Sequence, residues 1–229
     1  MFWEGFQMAE IRIVRIPLRF ANSYLVIGER TIIVDSGDPG FSQGILKAME
    51  KNEVKKTDIS LIFITHGHVD HYGSVFELRR KIEAPIAIHR LDALYLNQGV
   101  QAPLYPLNSI AGAIKLVGKH LKVKKRYGIE ADIEFKQKLE LEEFGVKGLI
   151  LPTPGHTLGS ASLFLPNGRA ITGDLIVRQY LFRGKPRCAP FLHDRSKFIK
   201  SMNILKGRGV KTIYPGHGAP INTSDIITS

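Results

Sequence analysis

Residues 61–71 read Leu61-Ile62-Phe63-Ile64-Thr65-His66-Gly67-His68-Val69-Asp70-His71, an apolar run followed directly by three histidines and one aspartate. Imidazole and carboxylate groups crowded at a strand end make a poor core, because each would need a hydrogen-bonding partner away from water. Neutral imidazole nitrogens and carboxylate oxygens are, however, the usual ligands of zinc and other divalent ions. A single histidine at a strand end indicates little, but the H-x-H-x-D-H pattern predicts a metal site.

The composition is that of an ordinary folded protein. The 229 residues are enough to bury a full core, and they are 44% hydrophobic and 23% charged. No apolar run approaches the roughly 20 residues that span a bilayer. Residues 1–8 lack the basic start and apolar stretch of a signal peptide. The single cysteine, Cys188, has no internal disulfide partner, so we expect a reducing, cytoplasmic setting.

The chain is strongly basic, with a formal net charge of +11. Such a charge attracts anionic partners, among them nucleic acid, phosphorylated or carboxylated substrates and membrane surfaces, although basic residues that only solvate the surface explain it equally well. Many of the basic residues lie in or just after a predicted helix at 108–121: Lys115, Lys119, Lys122, Lys124, Lys125 and Arg126. We favour an amphipathic helix with a solvated basic face; the alternative is a lid that attracts an anionic substrate.

The hydrophobic pattern predicts alternating groups of strands and helices. Apolar alternation and aliphatic runs predict strands at 10–16, 22–27, 31–34, 59–65, 85–89, 148–151, 161–165, 169–172 and 210–214. Apolar residues at helical spacing predict helices at 41–52, 71–82, 108–121 and 195–206. Aliphatic residues dominate the strand at 59–65, so we expect both of its faces to be covered. The turn Pro166-Asn167-Gly168 indicates a hairpin.

This order favours an α+β sandwich with two sheets inside and helices outside. We expect one domain over residues 1–229, with a basic helical insertion at about 91–130.

Three later segments repeat the pattern of a ligand-type residue in a glycine-bounded turn after a strand. They are Pro154-Gly155-His156-Thr157-Leu158-Gly159-Ser160, Thr172-Gly173-Asp174 and Tyr214-Pro215-Gly216-His217-Gly218. Glycine lets the backbone approach a crowded site closely, and loops at strand ends converge at one edge of a sheet. Together with residues 66–71 these segments supply five histidines and two aspartates, which is enough for two metal ions.

The combination and order of these motifs resemble the metallo-β-lactamase-fold superfamily, on its glyoxalase II-like side. The resemblance begins at the strand-end Asp35 and extends to residues 215–218. It implies a four-layer αββα sandwich with a dinuclear metal centre at one edge of the two sheets. By motif position, His66, His68 and His156 hold the first metal, Asp70, His71 and His217 hold the second, and Asp174 bridges both. Asp35 matches an aspartate that orients the ligands from behind.

The resemblance also implies a reaction. An aspartate at position 174 is similar to the bridging ligand of glyoxalase II and ribonuclease Z, and the common zinc β-lactamases lack it, so we expect a substrate other than a β-lactam. Two divalent ions would activate a shared water to hydroxide, and Asp70 would orient this nucleophile and shuttle its proton. Zn²⁺ is the default ion for a histidine-rich site, and Fe or Mn would also suit these ligands.

We expect a metal-dependent hydrolase whose partner is a small ester, thioester or lactone, with the positive charge favouring an anionic one. The first alternative is a nuclease or phosphodiesterase of the ribonuclease Z type, which the net charge motivates. A sulfur dioxygenase with a single iron is the second, and a non-catalytic binding module is the third. Arg178, Tyr180, Arg183 and Arg187 would grip an anionic group or simply solvate their loop.

Overall fold

The computed structural model of the chain describes residues 10–118, 128–178 and 186–226. The first sheet contains six strands that are hydrogen-bonded in chain order: β1 (Arg12–Pro17), β2 (Asn22–Ile27), β3 (Thr31–Val34), β4 (Ile59–Ile64), β5 (Ile86–His89) and β6 (Ile133–Phe135). Strands β1 to β3 are antiparallel, and β3 to β6 run parallel to one another.

The second sheet also contains six strands and is mostly antiparallel, but its β10 and β13 are parallel. In chain order its members are β7 (Leu139–Glu140), β8 (Leu149–Pro152), β9 (Ala161–Leu165), β10 (Arg169–Gly173), β13 (Thr212–Pro215) and β14 (Ile221–Asn222). Across the sheet the order is β14-β13-β10-β9-β8-β7. Between β10 and β13 in the chain, β11 (Ile176–Val177) and β12 (Arg187–Cys188) pair separately.

The described helices are α1 (Ser42–Lys51), α2 (Val69–Tyr72), α3 (Val75–Arg79), α4 (Arg90–Gln98), α5 (Ser109–Gly118) and α6 (Arg195–Gly207). No helix within the described ranges combines the length and the apolar character that crossing a membrane requires.

Alternation along the strands divides the apolar side chains among three cores. One face of the first sheet packs against the helices through Leu25, Ile33, Ile62, Ile86, Ile45, Met49, Leu78 and Leu96. Its other face packs against the second sheet through Val26, Ile32, Leu61, Phe63, Ile150, Leu163 and Ile171. Helix α6 covers the outer face of the second sheet. Its Leu205 belongs to one core cluster with the strand residues Phe164, Ala170 and Ile213. Because successive strand residues point to opposite faces, these cores stack as helix, sheet, sheet and helix, and the predicted αββα sandwich is confirmed.

Several local predictions are also confirmed. All six residues of β4 are buried, as a strand covered on both faces requires. Strands β9 and β10 are antiparallel and are joined at the predicted turn, where Asn167 and Gly168 both adopt left-handed backbone conformations with φ of 63° and 69°.

The prediction of one continuous helix at 71–82 is wrong, because α2 ends at Tyr72 and α3 begins at Val75. At Ser74, hydrogen bonds to a distant segment replace those that a continuous helix would make. The Ser74 N–H donates to Ser36 Oγ at 3.2 Å, and its hydroxyl donates to the carbonyl of Asp38. A Cβ atom at Gly73 would also lie 2.5 Å from the nitrogen of Pro39. The chain after β3 therefore docks at this break.

The sequence did not predict α4. His89 Nδ1 accepts a hydrogen bond from the N–H of Leu91 at 3.3 Å, which caps the helix, and Ala93 and Leu96 pack into the core beneath the first sheet. Helix α5 confirms the described part of the helix predicted at 108–121. The basic residues Lys119, Lys122, Lys124, Lys125 and Arg126 lie outside the described residues. The single domain and the insertion at 91–130 stay predictions.

Truncation of Phe63, in the core between the sheets, should strongly lower the stability of the fold. The side chain is fully buried, and its ring centroid lies 6.2 Å from that of Phe135. We expect Phe63→Ala to lower the free energy of unfolding by about 3–5 kcal/mol, because the cavity cannot close fully. Urea denaturation followed by circular dichroism measures this value. Ile199→Ala, at a side chain that is 51% exposed on α6, is the control and should change it by less than about 0.5 kcal/mol. Equal losses would contradict the two-sheet core.

Candidate metal centre

The loops that leave β4, β8, β10 and β13 meet at one edge of the two sheets. They bring all seven predicted ligand residues together, in three overlapping groups whose candidate ligand atoms lie within 4.8 Å of one another. These groups are His66, His68 and His156; His66, His71 and Asp174; and Asp70, His71 and His217. Below, the first group is called the first cluster and the last group the second cluster.

Three buried ring nitrogens face one another in the first cluster. His68 Nδ1 lies 3.1 Å from His66 Nε2 and 2.9 Å from His156 Nε2. His66 and His156 each have a fixed tautomer, because the other ring nitrogen faces an acceptor. His156 Nδ1 lies 2.7 Å from the carbonyl oxygen of Phe191. His66 Nδ1 lies 3.0 Å from the hydroxyl oxygen of Thr65, which gives its own hydrogen to an Asp35 oxygen.

These contacts place the proton of His66 and of His156 on Nδ1, so both Nε2 atoms present lone pairs to His68. The three facing nitrogens therefore share at most one hydrogen. The other nitrogen of His68, Nε2, is buried and has no hydrogen-bond partner in the described part of the chain. Lone pairs at such short separations repel unless a positive charge lies among them. A divalent cation fits this arrangement, because it would accept all three lone pairs.

The second cluster is more open and contains a carboxylate. Asp70 Oδ2 lies 3.4 Å from His217 Nε2 and 3.9 Å from His71 Nε2. Both imidazoles are again oriented through Nδ1, which in His71 lies 2.8 Å from Asp35 Oδ2 and in His217 lies 2.8 Å from the carbonyl oxygen of Phe20. His71 Nε2 is buried and finds no hydrogen-bond partner among residues 10–118, 128–178 and 186–226, which fits a cation at this second point as well.

Asp174 lies between the two clusters. Its Oδ2 atom is 3.6 Å from His156 Nε2 and 3.2 Å from His217 Nε2, and its Oδ1 atom is 3.4 Å from His71 Nε2. Oδ1 is buried and makes no hydrogen bond to any residue that the structure describes. One carboxylate thus reaches imidazoles of both clusters.

Asp35 has the position predicted for an orienting carboxylate. Its Oδ1 accepts a hydrogen bond from the Thr65 N–H, and its Oδ2 accepts one from the Thr65 hydroxyl, each at 2.8 Å. Because Oδ2 also faces His71 Nδ1 at 2.8 Å, Asp35 holds ligand residues of both clusters. Its backbone is in the left-handed region with φ of 57°, which is uncommon outside glycine.

The expected close approach of glycine is confirmed at Gly216. A Cβ atom there would collide with Asp174 Oδ1 and lie 2.6 Å from His71 Cε1. The turn after β13 can therefore lie directly against the two clusters only because this residue has no side chain.

Burial sets the protonation state of the first cluster. Desolvation lowers the pKa of His66 and of His156, and it lowers the pKa of His68 to about 3, with the neighbouring imidazoles adding to the effect. All three rings are consequently neutral near pH 7. Neutral imidazole is the form that binds metal ions.

The second cluster and Asp174 attract positive charge instead. Burial alone would raise the pKa of Asp174, but His217 and His71 hold that pKa well below its usual range. Burial lowers the pKa of His217, and Asp174 and Asp70 overcome this and raise it to about 10. Asp174 and Asp70 thus favour a positive charge at the second cluster, either as protons on the imidazoles or as a bound cation. A divalent ion would therefore compete with protons there.

Sequence reasoning missed the contacts that hold the turn of His217. The buried Asn22 side chain donates to the carbonyl oxygens of Pro215 at 2.9 Å and Gly218 at 2.8 Å, and the Tyr24 hydroxyl donates to Pro215 at 2.6 Å. An asparagine at the start of an apolar strand is the signal that was available, because a buried amide needs partners.

The other singled-out residues that the structure describes lie outside the two clusters. Arg178 pairs with Asp225 at 3.4 Å, Arg187 is exposed in β12, and Tyr180 and Arg183 lie outside the described residues. His193 packs its ring edge-on against Tyr105, with 4.4 Å between ring centroids.

Comparison with known proteins identifies the family. The model of the metallo-beta-lactamase superfamily matches residues 16–217. A protein of Methanocaldococcus jannaschii named probable metallo-hydrolase MJ0888 is 30% identical over 198 residues, which cover 86% of this chain and 87% of that protein.

Two solved structures share the fold. The BLEG-1 B3 metallo-beta-lactamase has a TM-score of 0.69 at 20% identity, with 93% of this chain and 95% of that chain covered. TTHA1623 in a di-iron-bound form has a TM-score of 0.65 at 24% identity, with 92% and 94% covered. The expected superfamily is confirmed: the chain belongs to the metallo-β-lactamase superfamily.

Proposed function

We propose that this protein is a metal-dependent hydrolase that cleaves a small ester, thioester or lactone at a dinuclear centre. The observation that carries the proposal is the place of Asp174, whose carboxylate lies within 3.6 Å of imidazoles from both clusters. In this proposal the first cluster holds one ion, the second cluster holds the other, and Asp174 is shared. The name of the Methanocaldococcus jannaschii relative, a probable metallo-hydrolase, supports hydrolysis.

When bound, divalent cations held by these residues would lower the pKa of a bound water and polarise the scissile carbonyl group. We assign to Asp70 the role of accepting the proton of this water. Its side chain is 28% exposed and that of His217 is 25% exposed, whereas that of His71 is fully buried. Water and substrate therefore reach the site on the side of Asp70, where a carboxylate can orient the nucleophile and accept its proton.

The choice of a carbonyl substrate rests on the glyoxalase II-like order of the motifs, with an aspartate at position 174. Zn²⁺ is the ion that we propose, because a histidine-rich donor set suits it best. Iron is the second choice, since TTHA1623 adopts this fold in a di-iron-bound form.

A phosphodiester is the second candidate substrate, and the observation that favours it is the formal net charge of +11. The motif at residues 154–160 is closer to that of glyoxalase II, so the carbonyl substrate remains the first proposal.

The deciding experiment is a panel of thioesters, lactones, esters and phosphodiesters, assayed with protein loaded with Zn²⁺, Fe²⁺ or Mn²⁺. We expect turnover of at least one carbonyl substrate, which a chelator abolishes and added metal restores. Turnover of phosphodiesters alone would replace the first candidate with the second. Oxygen consumption with a persulfide would indicate a dioxygenase, and a protein that turns over nothing with any metal would contradict an enzymatic function.

Removal of a cluster residue should remove metal. We expect His68→Ala to lose about one of the two ions, because only two imidazoles remain in the first cluster, and Asp174→Ala to weaken both sites. Metal content per chain, measured by mass spectrometry after gel filtration, tests this. His193→Ala removes an imidazole outside the clusters and should retain the wild-type content. Full occupancy and turnover in the His68 or Asp174 variant would refute the assignment.

Removal of the proposed proton acceptor should affect the rate more than metal content. Asparagine at position 70 retains an oxygen ligand but accepts a proton poorly, so we expect Asp70→Asn to lower kcat by about 10²–10⁴-fold. Steady-state kinetics on metal-saturated protein, with metal content measured in parallel, gives this value. A kcat within about threefold of wild type at equal occupancy would assign proton transfer to another group.

A further inference from the structure

Asp92 in α4 is a buried carboxylate that no part of the proposed chemistry uses. Its residue is 1% exposed, and three donors point at its two oxygens. The N–H of Gly67 donates to Oδ2 at 2.8 Å, the Thr157 hydroxyl donates to Oδ2 at 2.6 Å, and the N–H of Gly159 donates to Oδ1 at 2.9 Å. Hydrogen bonds to a buried carboxylate are among the stronger ones in proteins.

These donors belong to the two loops that carry the first cluster. Gly67 stands between His66 and His68, and Thr157 follows His156 directly. The bonds link residues that are 25 to 67 positions apart in the chain, and their donors are main-chain N–H groups and a hydroxyl group, not imidazoles. One carboxylate therefore ties both loops to the same helix.

Both loops are pressed against α4. A Cβ atom at Gly159 would lie 2.5 Å from Asp92 Oδ1, and a Cβ atom at Gly67 would lie 2.8 Å from Tyr95 Cδ2 on the same helix. Helix α4 is itself anchored, because Ala93 and Leu96 pack into the core beneath the first sheet. A rigid element, helix α4, therefore fixes the distance between the two loops.

We propose that Asp92 is a positioning residue of the first cluster, which sets the separation of its three facing nitrogens and so its affinity for a metal ion. The inference rests on the proposed function, since it requires a metal at that cluster. Other contacts hold the second cluster: Asp35 holds His71, the carbonyl of Phe20 holds His217, and Asn22 holds the turn around it. Loss of Asp92 should therefore weaken one metal site and spare the other.

The test compares stepwise Zn²⁺ affinities of the full chain by competition with a chromophoric chelator. Asparagine in place of Asp92 retains one acceptor oxygen but turns an NH₂ group toward donors. We expect Asp92→Asn to weaken one of the two binding steps by about 10–100-fold and to leave the other within about threefold. The absorption spectrum of Co²⁺ bound at the weakened site should also change, because its ligand geometry changes.

Two further variants distinguish positioning from general destabilisation. Asp132→Asn alters a carboxylate that also accepts a main-chain N–H, that of Ile86 at 2.8 Å, and that pairs with Arg79 away from the clusters. It should leave both Zn²⁺ affinities unchanged. Thr157→Val removes one of the three donors and should weaken the same binding step as Asp92→Asn, by less. Urea unfolding of each apo variant gives the loss of stability for comparison.

Wild-type affinities in both Asp92→Asn and Thr157→Val, or equal weakening of both steps, would overturn the role of Asp92 and leave the proposed function standing. A wild-type chain that binds no metal would overturn the proposed function, and this inference with it. If Asp92→Asn does not fold, Thr157→Val decides alone, since it retains the carboxylate and two of its donors.

Discussion

The structure depends on keeping imidazole nitrogens and carboxylates aimed at one another at one edge of the two sheets. Three imidazole nitrogens of the first cluster meet at 2.9–3.1 Å, and His71 Nε2 and Asp174 Oδ1 are buried without hydrogen-bond partners among the described residues. Such an arrangement is unfavourable for an isolated fold, because unpartnered buried polar groups cost free energy. It persists because hydrogen bonds to the far side of these groups hold them in place, and a bound cation would offset the free-energy cost.

The surrounding fold supplies that restraint at several levels. Strand β4 is fully buried between its parallel neighbours β3 and β5, and it leads directly into the loop at residues 65–71. The two-sheet core prevents the strand ends from separating. Individual groups then orient each ring: Asp35 for His71, the Phe191 carbonyl for His156 and the Phe20 carbonyl for His217. Site geometry therefore reflects the packing of whole sheets as much as it reflects the ligand residues.

Much of the candidate site was predictable because its residue types are chemically unusual at strand ends. All seven predicted residues lie in the overlapping clusters, and the αββα layers were expected from the motifs. The predictions failed where long-range contacts override local pattern. The helix expected at 71–82 breaks because Ser74 bonds to the loop after β3. Asp92 and Asn22 were missed because their partners are far away in the chain.

The sequence by itself determined the chemical inventory of the site, which is five histidines and two aspartates at the ends of predicted strands. Its apolar pattern also favoured a sandwich of two sheets. Side-chain type and spacing along the chain are local properties, so they can be read directly. Only the tertiary structure decided which nitrogen of each ring faces the clusters and that Asp92 joins two loops. These features depend on hydrogen bonds between distant residues, which exist only once the sheets have packed.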